Sequence, residues 1–305
     1  MLLARAVTGS WIVIAGISAP FSSARAAAGA DSITAAILAE RKDTEEWLRS
    51  KPTSYLAAVS RLDFDNRSAL TVGSAPGNDL RLQDSTIAAR HLSVTVVGDS
   101  FRVEALDPEA RFSVRGAETR SATLAPSSIG VGRFALRLSH QRFPALIVFD
   151  PQSPRFAQFK GLRYYPVDLG YRLVVPLLPN PNPDTMVIVS TRGSQRRAVV
   201  AGWFEFKLGG KKCRLEATRL LEPGVGENDF SVFFRDATTG KETYEVGRYL
   251  EPVRQADGRY LLDFNNAYNP ACAFSDHYNC PIPPRGNTLK VAVRAGEMDS
   301  HYTIH

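Results

Sequence analysis

"RRAVVAGWFEFKLGGKKCRLEAT", residues 196–218, sets the class of the fold. Two β-rich runs flank Gly209-Gly210, and glycine can take the positive φ angles that a tight hairpin turn needs. Similar short runs lie on both sides. Downstream are "FSVFFRDATTGKETYEVGRYL" (230–250), "YLLDF" (260–264) and "TLKVAVRAGE" (288–297). Upstream are "TMVIVST" (185–191), "RFALRLS" (133–139), "FRVEAL" (101–106), "LSVTVV" (92–97) and "LTVG" (70–73). Strands spaced by about ten residues predict a sandwich or barrel rather than alternating strand and helix units. A helix over residues 31–50 precedes them. Asp31 or Ser32 caps it, Ile33, Ala36, Ile37, Trp47 and Leu48 form a broken apolar stripe, and Pro52 stops it.

The chain begins with Arg5, an apolar run from Trp11 to Phe21, and Ala24-Arg25-Ala26. That order predicts a secretory signal peptide over residues 1–26, too short and wrongly flanked for a membrane span. Its removal takes away Arg5 and Arg25 and no acid, so the formal charge of +6 falls by two to +4. A mildly basic surface without a run of like charges argues against a nucleic-acid partner. The expected location is periplasmic or secreted, with no transmembrane segment after cleavage. A Pro-bounded connector, Asp150-Pro151 to Pro154, divides the chain. The expected layout is a helix and lead-in over 27–61, a β-sandwich over 62–149 and a β-rich domain over 150–305.

The front half carries "VGSAPGNDLRLQDSTIAARHLSV" (72–94) and "VRGAETRSATLAPSSIGVGRFALRL" (114–138). It resembles a forkhead-associated (FHA) domain, a β-sandwich that reads phosphothreonine on its loops. The family's Arg after the first Gly is here Ser74, its Ser before the Arg-His pair is Ala88, and its Asn-Gly is Arg115-Gly116. Arg90 and His91 remain, and the family's histidine is mainly structural. The resemblance implies a retained scaffold, and phosphopeptide binding is not expected.

The second half carries Phe234-Arg235-Asp236-Ala237-Thr238-Thr239-Gly240, Gly247-Arg248-Tyr249-Leu250 and Asp263-Phe264-Asn265. Ala267-Tyr268-Asn269-Pro270, Cys280-Pro281-Ile282-Pro283-Pro284 and Ala295-Gly296-Glu297 follow. These residues resemble the bacterial and archaeal family known as domain of unknown function number 1684, with weaker matches back to the Gly73-Ser74 turn. The resemblance lends fold and boundaries and no activity.

Residues 263–284, "DFNNAYNPACAFSDHYNCPIPP", have neither helix nor strand period. Cys272 and Cys280 in a Pro-rich loop of an exported chain predict a disulfide; Cys213 reads as a small buried hydrophobe. Free or reactive thiols are one alternative and a metal site with His277 another, but no paired-cysteine or paired-histidine spacing supports a metal, and no metal or cofactor is expected. Arg248, at the end of the preceding element, is expected to pair with Asp263. Arg248, Asp263, Asn265 and Tyr268 are the candidate ligand-binding residues, with Asp263, Glu297 and His277 as candidate catalytic groups. The bland alternative is that these side chains bond loop backbone. No Gly-x-Ser-x-Gly, phosphate loop, Gly-x-Gly-x-x-Gly or His-Glu-x-x-His occurs. The leading reading is an exported protein binding a polar small molecule or envelope component through its C-terminal half. Two alternatives stand beside it: a hydrolase with Asp263 or Glu297 as general base, and a purely structural envelope protein.

Overall fold

The computed structural model describes residues 23–141, 143–222 and 225–300. The signal-peptide reading of residues 1–26 lies almost wholly outside them, as does the tail with His301 and His305. Helix α1 runs Ser23–Ser50, eight residues further toward the N-terminus than predicted. The added segment is rich in alanine, the best helix former. Ile37, Thr44 and Leu48 are buried along one stripe. From the same side Arg41 donates to the carbonyls of Tyr165 (2.9 Å) and Asn265 (3.0 Å), tying α1 to the second half of the chain.

The front half is built from β1 (Ala58–Asp63), β2 (Ala69–Gly73), β3 (Leu80–Arg81), β4 (Leu92–Val97), β5 (Ser100–Ala105) and β6 (Phe112–Val114). It continues with β7 (Ala117–Thr119), β8 (Ser121–Leu124), β9 (Ser128–Val131), β10 (Phe134–Gln141) and β11 (Phe143–Phe149). Two sheets form, in the orders β1-β11-β10-β9-β6-β7 and β3-β2-β4-β5-β8. Between them Phe64, Leu70, Phe101, Phe112, Leu136, Leu138, Leu146 and Val148 share one core, as a sandwich requires. Because side chains alternate along a strand, Leu136 and Leu138 of β10 enter that core while Arg137 and Ser139 take the other face. Across the sheet on that other face, Arg137 stands opposite Ile147, and Ile147 opposite Arg61.

The second half adds β12 (Arg172–Val175), β13 (Leu177–Pro179), β14 (Thr185–Val189), β15 (Gln195–Leu208), β16 (Lys211–Leu220) and β17 (Val232–Phe234). It ends with β18 (Arg248–Leu250), β19 (Val253–Arg254) and β20 (Tyr260–Asp263). The long strand β15 pairs with β13, β14 and β16. Gly209 (φ +54°) and Gly210 (φ +75°) turn β15 into β16, both in the left-handed region that a type I′ hairpin demands. Phe204, Leu215, Val232, Phe234, Leu262 and Phe264 form this half's own core. The chain is mostly β, with one long helix and several antiparallel sheets.

The outer face of the front sandwich is not solvated. Ile147 and Phe149 pack with Tyr55, Leu220, Phe233, Tyr249 and Tyr278 in a third cluster that joins the two halves. The irregular stretch 263–284 supplies much of that joint. Ala271 to Ser275 and Tyr278 to Cys280 are buried, so the stretch is a wedge in the interior. Many of its backbone polar groups are paired, for example in the mutual bonds between Tyr249 and Tyr268. No helix among the described residues is long and apolar enough to cross a membrane.

Candidate functional site

The polar residues picked out in the sequence are placed by the structure in bracing roles. Arg248, on β18, lines no cleft and is 1% exposed. Its guanidinium meets Asp236 Oδ2 at 2.6 Å and donates to the carbonyls of Val293 (2.8 Å), Ala295 (2.5 Å) and Glu297 (3.3 Å). The expected Arg248–Asp263 pair is therefore replaced by Arg248–Asp236. Gly247 makes this possible: at φ +117° a Cβ there would sit 2.6 Å from the Phe234 carbonyl oxygen. Asp263 instead accepts from Arg172 Nε at 3.0 Å and from the Asn265 amide at 3.1 Å. Asn265 is fully buried, and its side chain bonds both the N–H (3.0 Å) and the C=O (2.9 Å) of Asp168.

The candidate bases follow the same pattern. Both oxygens of Glu297 accept from Asn269, at 3.1 and 3.0 Å, in a site 1% exposed. A proton acceptor so enclosed has no path to substrate, so the general-base role fails on access. His277 lies half-buried beside the exposed Asp276, with its Nδ1 3.5 Å from the carboxylate. Burial pushes its pKa below the usual histidine value, only partly opposed by Asp276. No cluster of His, Cys, Asp and Glu able to hold a metal occurs among the described residues.

Cys272 and Cys280 are brought together by the wedge, yet the predicted bond is not closed and both are free thiols. The Cys272 amide donates to Cys280 Sγ at 3.3 Å, and Tyr244 Oη lies 3.7 Å from Cys272 Sγ. A hydrogen bond from Cys280 pulls the Cys272 thiol below its ordinary pKa, while burial drives Cys280 up. Cys213 is buried in the C-terminal core, as a small hydrophobe would be.

Of the predicted ligand residues Tyr268 reaches the cavity at the seam, and Asp263 lines with it a separate, larger cavity of about 390 Å³ beside α1. The Tyr268 hydroxyl donates to Glu251 at 2.8 Å, and its ring meets Tyr249 edge-on at 5.8 Å. The seam cavity holds about 80 Å³ of free space, room for several water molecules. Its floor is the outer face of the sandwich, with Arg61, Arg137, Ser139 and Ile147. Its roof is the wedge, from Pro270-Ala271 and from Tyr278 to Pro281. Phe233 and Tyr249 close one wall, their rings edge-on at 4.6 Å.

Three arginines face this space and differ in their partners. Arg61 donates twice to Asp63 Oδ1, at 2.9 and 2.7 Å. Arg196 forms a two-pronged pair with Glu222 at 2.5 and 2.6 Å, both side chains about 95% buried. Arg137 makes no ion pair or side-chain hydrogen bond with any described residue, and its Nε is buried without a partner. Its only ring contact places the guanidinium 5.7 Å from the centre of Phe149. Burial lowers its pKa, opposed weakly by Tyr278 and Tyr55. An arginine nonetheless keeps its charge.

Two more polar atoms of the cavity wall lack partners: Tyr278 Oη and Asn279 Nδ2. Burial raises the Tyr278 pKa far above its ordinary value, against the pull of Arg137, so the phenol stays a neutral donor. Sequence reasoning missed Arg137 because a charged residue on a strand's outer face reads as solvated. Tyr278 and Asn279 lie inside the stretch it had singled out.

A family profile described as "Protein of unknown function (DUF1684)" matches residues 157–298. A solved structure of an uncharacterised protein from Haloarcula marismortui is 36% identical, covering 49% of this chain and 82% of that one, with a TM-score of 0.39. FHA domains are also among the solved structures similar to part of this chain. That of the CT664 protein from Chlamydia trachomatis is 21% identical over 27% of this chain and 76% of its own, with a TM-score of 0.21. The FhaA FHA domain is 17% identical, over 28% and 96%, with a TM-score of 0.21. No curated protein matches the chain. The matched segment 157–298 supplies the roof of the seam cavity and the front sandwich its floor; by that segment the chain belongs to the DUF1684 family.

Proposed function

We propose that this protein binds a small polar molecule bearing an acid group, held at the seam between the sandwich and the C-terminal half. Arg137 is the counter-charge. Taking a guanidinium out of water without a carboxylate or carbonyl partner costs several kcal/mol, and folding alone gives no return for it. An anion entering the cavity returns that cost as affinity. Arg61 and Arg196 do not compete for it, since each already holds a carboxylate. The single observation carrying the reading is the unpartnered Arg137 beside free space.

The reading extends to an exported protein, on the strength of Arg5, the apolar run 11–21 and Ala24-Arg25-Ala26. In an oxidising compartment Cys272 and Cys280, already in contact, are the natural pair for a disulfide that fixes the cavity roof.

Native mass spectrometry of the wild type and Arg137→Met, both purified without denaturation, tests the binding. The wild type is expected to carry a non-covalent mass, released on denaturation, that the variant lacks. An identical adduct on both proteins, or none on either, contradicts the reading.

A further inference from the structure

We infer that the acid held at the seam is a monoanion with a flat aromatic body and a second oxygen substituent, the chemistry of a hydroxyaryl carboxylate. This rests on the reading of the seam cavity as an anion site and adds what kind of anion it takes.

Charge sets the first limit. Arg61 and Arg196 each already hold a carboxylate, and Arg137 is the cavity arginine with no acid partner among the described residues. A phosphate dianion would leave a negative charge uncompensated in a largely apolar site, whereas one carboxylate matches one guanidinium in charge and planar geometry.

Shape sets the second. About 80 Å³ of free space is less than the roughly 150 Å³ of a cavity that takes benzene, so a single small ring is the upper limit and a nucleotide is excluded. The rings of Tyr55, Phe233, Tyr249 and Tyr278 stand around it. Aromatic walls favour a ring packed edge-to-face or offset, and a sugar's hydroxyls would lose their hydrogen bonds against them.

The third limit comes from the roof. Tyr278 Oη and Asn279 Nδ2 are buried donors without acceptors, and a wall of this kind is complete only when an oxygen reaches them. An acid on Arg137 leaves these two for a phenolic or ether oxygen elsewhere on the same ring.

Thermal shift of the full chain with para-hydroxybenzoate, benzoate, acetate and inorganic phosphate tests the class, in the wild type, Arg137→Met and Tyr278→Phe. Para-hydroxybenzoate is expected to raise Tm most, benzoate less, and acetate and phosphate not at all. Arg137→Met should abolish both aromatic shifts. Tyr278→Phe should weaken para-hydroxybenzoate about tenfold, the loss of one hydrogen bond to a buried donor, and leave benzoate unchanged. A shift with phosphate or acetate that Arg137→Met removes overturns the ligand class while the anion site stands. Aromatic shifts that survive Arg137→Met overturn the anion site itself. Absence of any aromatic shift overturns the class.

Discussion

Arg248 is fully buried and Arg137 half-buried; the first is surrounded by acceptors, while the second makes no ion pair or side-chain hydrogen bond with a described residue. Around Arg248 the chain supplies Asp236 and the carbonyls of Val293, Ala295 and Glu297. Around Arg137 it supplies aromatic and aliphatic walls and an open space. A charge whose partners all come from the fold is a brace, and changing it should damage the fold. A charge with no partner weakens the fold, and its presence calls for a ligand. The motif Gly247-Arg248-Tyr249-Leu250 is thus structural, while Arg137, on which the proposed binding rests, carries no motif.

The largest expected effect is at the brace. Arg248→Met leaves Asp236 charged and buried, and urea unfolding should show a loss of about 3–5 kcal/mol. Arg248→Lys should recover little of it, since a point ammonium cannot span Asp236 and three carbonyls. Equal stability of Arg248→Met and the wild type would break the comparison on that side.

Next comes the Arg196–Glu222 pair at the rim of the cavity. Burial raises the Glu222 pKa, but opposing hydrogen bonds and positive charge, Arg196 foremost, hold the carboxyl below its ordinary 4.5. A depressed carboxylate contributes stability that is present above its unfolded pKa and is lost as pH falls through the folded one. Glu222→Gln should cost about 2–3 kcal/mol at neutral pH. The gap to wild type should close on acidification below pH 4.5, which urea titrations at several pH values would show. A gap that stays constant with pH would mean the pair is held by packing alone.

A smaller effect concerns the roof. Closing a bond between Cys272 and Cys280 should add about 2–3 kcal/mol, given the short loop between them. Thiol labelling under denaturing conditions should mark only Cys213 in exported protein and all three cysteines in protein retained in a reducing cytoplasm. Labelling of all three in the exported form would remove the covalent brace.

The β-rich class was legible from alternating runs and turn glycines, and the Gly209-Gly210 hairpin formed as predicted. The helix was legible as well, apart from its alanine-rich first turns. The importance of 263–284 was readable from composition, but its role was not. A Pro-rich irregular stretch suggests a surface loop, and only the packing of two halves makes it an interior wedge. The partner of Arg248 was equally hidden, because Asp236 and Asp263 are comparable acids at comparable distance along the chain. Arg137 was least legible of all. In "RFALRLS" it alternates with core leucines as any solvated strand residue would, and nothing local says that the face is covered.

The most direct test of the seam account needs no ligand. Equilibrium urea unfolding of ligand-free wild type and Arg137→Met compares the fold with and without its unpartnered charge. The variant is expected to be more stable, by about 1 kcal/mol or more, because an apolar side chain replaces a half-buried cation that no described residue satisfies. A variant less stable than wild type by a similar margin would mean that Arg137 is held by the protein itself, and the anion site would be contradicted.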